Sequence, residues 1–482
     1  MSYDIPDVYT EEIRPSGAPV PGVGTGTVAL VGKFLKGELN KLKRVGTWDQ
    51  FVAEYGGLVV GSAAYDAYFV FKNLAPALVV CRVQGTQASK TIKDQQTPTP
   101  ANKLTLKALV DGEFANYDAG PPKVGIEAVV DEGTITNTFS LVLNYYYAEK
   151  GEQATYTESW DNLALDPTSA RYFPTIINAT SALVLAIDEN DEGIIAANLP
   201  DPGTYTLTGG AEPDYTGSTS PEGVDVLEKD SDINVVIADT DDSVVRSLLI
   251  DHCTAQADRI CVLNTPQYME VDDLKEIGDA LDTDRAIIPG PWRVAYDPAM
   301  RVSRSFRPAP FRAGLIARLD PYLSPSNNLE YGVLDIEMTL SRADLVSLQN
   351  SKISPTYRWA TRGIRVRNGL NCSSDANLSQ VYRRRMADFI IESIQIACGW
   401  AVSLPITPQK KDSVLASITN WFRTLQNAGW IEGAYVKYIS TPEDEAARKE
   451  IYRYGVKLWN VGDYIIFMAE IGPNTVVAGE AA

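Results

Sequence analysis

The spacing of apolar and polar residues changes several times along this 482-residue chain. Two uninterrupted apolar runs, Thr27–Gly32 (TVALVG) and Ala77–Val83 (ALVVCRV), predict strands buried on both faces. Between them, Thr47-Trp48-Asp49-Gln50 predicts a helix start, and Ala63–Leu74 (AAYDAYFVFKNL) carries aromatic residues at near-helical spacing. Residues 27–85 therefore predict α/β structure. Residues 86–103, polar and rich in proline and threonine, predict a linker.

From 104 to 190 the pattern turns to short β-prone runs (KLTLKALV, VGIEAVV, TFSLVLNYYYA, SALVLAI) divided by Gly, Asp and Asn, predicting an inserted β-rich domain. Residues 191–230 predict an acidic loop. Over 231–379, buried strands at Ile233–Asp239, Arg259–Asn264 and Ala286–Trp292 alternate with helices over Asp242–Thr254 and Val271–Leu281. That alternation predicts a parallel βαβαβ sheet. Residues 380–471 predict an α+β domain. Its first helix, YRRRMADFIIESIQIAC, puts Phe389, Ile390, Ile394 and Cys398 on one side. A second places Val414, Leu415, Ile418, Phe422 and Leu425 on one side and stops at Gly429. Strands are predicted at AYVKYIS, EIYRYGVKLW and DYIIFMAEI, then a tail over 472–482. The first 26 residues are an arm: Pro6, Pro15, Pro19 and Pro21 exclude a continuous helix, yet Ile5, Val8, Tyr9, Ile13, Val20 and Val23 are apolar or aromatic.

Composition adds limits. Hydrophobic residues make up 45% and charged residues 22%, an ordinary globular balance. No stretch approaches the roughly 18–20 apolar residues that span a bilayer. Asp4 and Asp7 stand where a secretory leader would be positive, so a soluble chain made in a cytoplasm is expected. Five cysteines, none spaced CxxC, predict buried free thiols. The net charge of −19 is uneven: residues 293–385 hold fifteen Lys/Arg against seven Asp/Glu, and residues 201–285 five against twenty. Complementary patches meeting between copies are one reading of this, solvated faces the other. A nucleic-acid partner is not expected of so acidic a chain.

Candidate chemistry is thin. The single histidine, His252, adjoins Cys253, but adjacent helix positions do not face each other. In Gly24–Phe34 the glycine–lysine pair follows the strand and Phe34 replaces Ser/Thr, unlike a phosphate loop. Asp239, Asp241 and Asp242 at a strand end could take Mg²⁺, yet capping the next helix is the simpler use. Neither cofactor nor metal is expected, and a building block is a better expectation than an enzyme. A surface glycan-binding protein or an α/β-hydrolase-like enzyme is the alternative.

An ordered series of segments resembles the contractile tail sheath proteins of phages and phage-like injection systems. It begins with Pro6-Asp7-Val8-Tyr9-x-Glu11-Glu12 and Pro21-Gly22-Val23-Gly24-Thr25. It continues through Val28–Gly57, Phe69–Val83, Leu104–Tyr117, PGPWRVAYDP (289–298), RPAPFRAGLIARLD (307–320), YRRRMADFIIESI (382–394) and DYIIFMAEIG (463–472). The resemblance implies a discontinuous sheath core with an inserted outer β-rich domain and extended N- and C-terminal arms. It implies a helical homopolymer around an inner tube, with tube, baseplate and terminator proteins as partners and no direct membrane insertion. Its place would be a tail sheath assembled in a bacterial cytoplasm. Val8, Tyr9 and Ile13 would anchor an arm added as a strand to a neighbour, and Tyr464, Ile466 and Met468 would lie in the receiving strand. Lys410, Lys411 and Arg423 are candidate tube contacts, and Arg383, Arg384 and Arg385 a candidate charged intersubunit patch.

Overall fold

The computed structural model describes residues 24–149, 151–190, 195–216 and 222–462, which fall into two compact units dividing between Gly399 and Trp400. The larger unit is built on a six-stranded sheet. Its order is Ala286–Ile287, Ile260–Val262, Val235–Ala238, Thr27–Gly32, Ala77–Arg82 and Leu42–Val45. The first five strands are parallel and the edge strand Leu42–Val45 is antiparallel to its neighbour.

The interiors of the five parallel strands are apolar because alternate side chains enter a core on either face, whereas the edge strand Leu42–Val45 carries exposed Lys43 and Arg44. Ala29, Val31, Val79, Cys81, Val236 and Ala238 face one way, against helices Ser243–Gln256, Val271–Asp279 and Arg342–Asn350. Val28, Leu30, Leu78, Val80, Val235 and Ile237 face the other, against Trp48–Tyr55, Ala64–Lys72 and Ala309–Arg318. With helices on both faces no polar position is tolerated. Gly314 lets two of these helices touch, because a Cβ there would lie 2.7 Å from the Val70 carbonyl oxygen.

The inserted stretch forms two antiparallel sheets. One runs Gly203–Thr206, Gly125–Glu132, Thr138–Glu149, Glu152–Ala164; the other runs Ser89–Lys93, Asn102–Ala108, Val184–Asp188. They share a core of Leu104, Leu106, Ile126, Phe139, Leu141, Leu143 and Phe173 that also takes in Val60 and Met300 of the α/β part. The expected linker 86–103 thus contains a strand, and the expected acidic loop contributes Gly203–Thr206. Both are held by pairing, with Thr91 and Thr105 hydroxyls 2.8 Å apart across the first pair.

One buried polar cluster ties distant segments. The Glu330 carboxylate, with no exposed side-chain surface, accepts from Arg293 Nε and Arg312 Nε, each at 2.8 Å, and from Thr356 Oγ1 at 2.8 Å. Arg312 also donates to Ser354 Oγ at 2.6 Å. Burial opposes the charge on Glu330, but the two guanidinium groups overcome it and hold the carboxyl down at about 2.

The smaller unit holds helix Pro408–Asn427, hairpin strands Gly433–Tyr438 and Tyr452–Lys457, and the short helix Pro442–Ala446 between them. The long helix buries Val414, Ile418, Trp421, Phe422 and Leu425. It ends as expected at Gly429, whose φ of 79° few other residues adopt. Helix Val381–Cys398 belongs instead to the larger unit, where Val381 joins the sheet's core. The boundary expected near 380 therefore lies about one helix later. Among the described residues no helix is long and apolar enough to cross a membrane.

Replacing Glu330 with Gln leaves two buried guanidinium groups without their counter-charge. The expected loss is about 3–5 kcal/mol of unfolding free energy, read by urea titration. A loss below about 1 kcal/mol would show that the cluster is dispensable. Because the folded carboxyl lies below its unfolded value, this contribution is complete above about pH 4.5. It disappears as pH falls through about 2.

Candidate functional site

The residues that first suggest chemistry are committed to structure. His252 is buried, and Arg259 Nη1 donates to its Nε2 at 3.4 Å. Burial, with the neighbouring guanidinium second, pushes the imidazole down to about 4. Cys253 lies in the sheet's core, away from that ring. All five cysteines are free; four are buried and Cys398 is half-buried. Among the described residues no group of three His, Cys, Asp or Glu side chains is placed to hold a metal.

Asp242 does cap its helix: Oδ1 accepts from Val244 N at 2.7 Å and Val245 N at 3.1 Å. Asp239 sits at the carboxyl end of Val235–Ala238, beside the end of Thr27–Gly32. From Thr27–Gly32 the chain moves to Ala77–Arg82 on one side, then returns to build the other side from Val235–Ala238 outward. The strand order reverses there, where α/β sheets commonly bind ligands. Here the crevice is filled by the chain itself. Asp239 accepts from Lys33 N at 3.1 Å and from the Tyr215 hydroxyl, and Lys33 Nζ pairs with Glu212. Burial, reinforced by Asp239, drives the Tyr215 phenol well above its ordinary range.

The candidate interaction residues divide. Val8, Tyr9, Ile13, Tyr464, Ile466 and Met468 lie outside the described residues. Arg383, Arg384 and Arg385 are not a common surface patch, because successive helical residues point about 100° apart. Arg384 bonds Asp284 at 3.0 Å and Asp388 at 2.8 Å, and Asp388 also takes both terminal nitrogens of Arg285 at 3.0 Å. Arg385 is buried and donates to the Thr25 and Leu319 carbonyls at 3.0 and 2.9 Å. Arg383 donates to the Ala376 carbonyl at 2.6 Å. Part of the acidic-to-basic complementarity is thus satisfied inside one chain, where Asp284 meets Arg384.

The tube-facing candidates change too. Lys410 is buried, pairs with Glu450 at 2.5 Å and donates to the Leu404 carbonyl at 3.1 Å. Lys411 bonds Glu445 at 2.6 Å, and the Tyr438 hydroxyl shares the same oxygen at 2.8 Å. Of the three, Arg423 alone is exposed.

The sequence reading passed over the hairpin as a surface. Among the described residues its sheet has only two strands, so each strand carries an unpaired edge. Exposed apolar side chains occur on it and in the flanking chain: Tyr435, Ile439, Ile451 and Trp459, with Val402 71% exposed. Their apolar, alternating character was the available signal.

No protein-family model matches the sequence, and no curated protein matches it. Solved structures do. The chain superposes on the PVC sheath complex of an extracellular contractile injection system in its contracted state. The TM-score is 0.57 and the identity 12%, covering 98% of this chain and 99% of that one. The helical sheath of the anti-feeding prophage in its contracted state gives 0.56 and 13%, covering 97% and 99%. A chain of that prophage's contracted baseplate gives 0.56 and 11%, covering 98% and 100%. The polypeptide therefore has the sheath fold along nearly its whole length.

Two outcomes follow from the buried charges. The folded His252 imidazole titrates below its unfolded value near 6.5, so its neutral form supports the fold fully above that pH and progressively less down to about 4. Thermal midpoints should fall across this window and less steeply in His252→Gln; equal slopes would refute the assignment. Arg384→Glu should lower the midpoint of the isolated chain by several degrees, measured by circular dichroism.

Proposed function

We propose that this chain is the repeating subunit of a contractile sheath, polymerising helically around an inner tube and shortening to drive that tube through a target envelope. The observation that carries the reading is the coincidence of fold with sheath chains over 98% of this chain and 99% of theirs. Self-association and a place beside a baseplate agree with the assemblies in which these neighbours sit. An inner tube protein and a terminator complete the set of partners we infer. We assign the protein to a tail sheath put together in a bacterial cytoplasm.

The open hairpin supplies a physical means of assembly. Among the described residues the hairpin has two strands, which alone are marginal in water, and further strands would satisfy the backbone groups along its edges. An incoming extended segment gives affinity through its main chain and register through alternate side chains. Residues 3–20, taken as extended, reach roughly 60 Å at about 3.3 Å per residue, enough to cross a neighbour. We infer that Val8, Tyr9 and Ile13 anchor such a segment and that Tyr464, Ile466 and Met468 belong to the sheet receiving it. We place the β-rich insertion on the outside and the smaller unit toward the tube.

Contraction then needs no nucleotide. Subunits turning as nearly rigid bodies exchange one set of contacts for a better one while the added strands keep the lattice connected. A few kcal/mol per subunit, of the size that separates two conformational states, adds up over many subunits.

Electron microscopy of the purified chain tests this directly. Hollow, regularly striated tubes are expected with the full chain, and none after removal of residues 1–22. Tubes of unchanged yield and order without those residues would refute the strand-exchange mechanism. A chain that stays monomeric with tube and baseplate proteins present would refute the sheath assignment itself.

A further inference from the structure

The uneven charge of this chain is only partly neutralised within it. Of the acidic stretch 201–285, Asp284 meets Arg384, Glu212 meets Lys33 and Asp232 meets Arg44. Of the basic stretch 293–385, Arg293 and Arg312 share Glu330. Two faces keep an excess, and both lie in the larger unit.

The first is a groove of about 460 Å³ between helices Ser243–Gln256 and Val271–Asp279. Ile250, Met269, Ile277 and Leu281 give it an apolar side, and Asp273 and Glu276 an acidic one. Asp273 already accepts from Glu270 N at 3.0 Å. Arg246, the one cation lining the groove, donates to the Asp241 carbonyl at 3.1 Å. Glu276 is exposed and has no side-chain partner among the described residues. An apolar wall beside a free carboxylate suits a side chain with an apolar stem and a cationic head.

The second is the hairpin of strands Thr356–Trp359 and Gly363–Val366, where the run TYRWATRGIRVR (356–367) holds four arginines and no acid. Within the chain their hydrogen bonds end mostly on carbonyls. Arg365 donates to those of Arg362 and Asn327 at 3.0 and 2.8 Å, and Arg358 to that of Leu334 at 2.8 Å. Of the four, Arg358 alone has a carboxylate partner among the described residues, Asp335 at 2.8 Å. Arg362, at the turn, is exposed and its guanidinium is unbonded among those residues. The hairpin is shaped before contact: the Tyr357 and Trp359 rings meet edge-on at 5.0 Å, and the Arg367 guanidinium carbon lies 6.0 Å from the Trp359 ring centroid. Such preorganisation lowers the ordering cost of binding.

We propose that the arginine hairpin of one copy docks in the acidic groove of the next, the Arg362 stem lying along the apolar side and its guanidinium meeting Glu276. Charge complementarity names the occupant, since the basic surface and the acidic one are both carried by this chain and each lacks its counter-charge there. Two different patches on one molecule make a heterologous contact, which repeats head to tail instead of closing a pair. Opposite potentials steer the encounter, and salt screens it. The inference rests on the reading that copies of this chain assemble, but it uses neither the N-terminal arm nor the 433–457 hairpin.

The experiment is sedimentation velocity of the full-length chain at low and high salt, with electron microscopy of the same samples. Association is expected at low salt and should weaken as salt rises. Arg362→Glu and Glu276→Arg should each weaken it by about tenfold or more, with unchanged circular dichroism, and the chain carrying both should recover most of the loss. Oxidising an Arg362→Cys chain together with a Glu276→Cys chain should give their mixed disulfide in preference to either homodimer. A chain that stays monomeric at every salt and protein concentration would overturn the proposal, as would single reversals without effect or a double variant without recovery. Capture of nona-arginine by the groove of a chain that does not self-associate would give the site to another basic partner and overturn it as well. Ordered tubes insensitive to both reversals would refute this contact and leave the sheath reading standing. Swap-dependent association without tubes would support the contact and count against that reading.

Discussion

The larger unit depends on one backbone pairing. Thr27–Gly32 lies in parallel register with Val235–Ala238, Val28 opposite Val235 and Val31 opposite Ala238. More than two hundred residues separate these strands in sequence, so the loop closed by their pairing carries a substantial entropic cost. The return comes from two apolar faces, one buried under helices that all follow Val235–Ala238 and the other under helices supplied by both flanking parts of the chain. Neither flank has a complete core without the other. The long segment between them is free to elaborate because both of its ends emerge from the same sheet.

The elements that could be read from sequence are those whose environment is uniform. Strands buried on both faces leave continuous apolar runs, and Asp242, Thr47 and Gly429 mark helix ends by local hydrogen bonding or backbone geometry. Elements whose stability comes from their neighbours were not legible. Glu152–Ala164 is an edge strand whose residues are nearly all exposed or half-buried, held by pairing with Thr138–Glu149 rather than by its own hydrophobicity. Ser89–Lys93 was hidden in a polar segment for the same reason. Helix Ala309–Arg318 is short, buried nearly all round, with a proline in its first turn and a glycine within, so it lacks an exposed polar face to give it a period.

Charge was harder to read than hydrophobicity. Composition showed that opposite signs are segregated along the chain, but not that Asp284 would find Arg384 within one subunit, nor that Lys410 would be enclosed. Arg293 and Arg312 had a usable signature, since each is a cation set among apolar neighbours and such residues are seldom buried without a partner. The partner, Glu330, lies in an unremarkable loop stretch, and only the fold brings the three together. The hairpin edges show the converse: alternation along 433–438 signals a strand, yet how many partners it has is a property of the assembly.

The crevice filled by Glu212 and Tyr215 has a mechanical meaning. In an enzyme of this architecture, that position must stay open for substrate, which leaves the middle of the sheet weakly tied to whatever surrounds it. Here Tyr215 grips Asp239 and Glu212 grips Lys33, at the ends of the two strands on which the whole sheet is closed. Glu212 also accepts from Glu113 N at 3.0 Å, joining two parts of the inserted stretch at the same point. A pull on that stretch is therefore delivered to the ends of the two central strands, not to a loop at its margin. The crevice is thus closed by side chains that fasten the inserted stretch to both central strand ends.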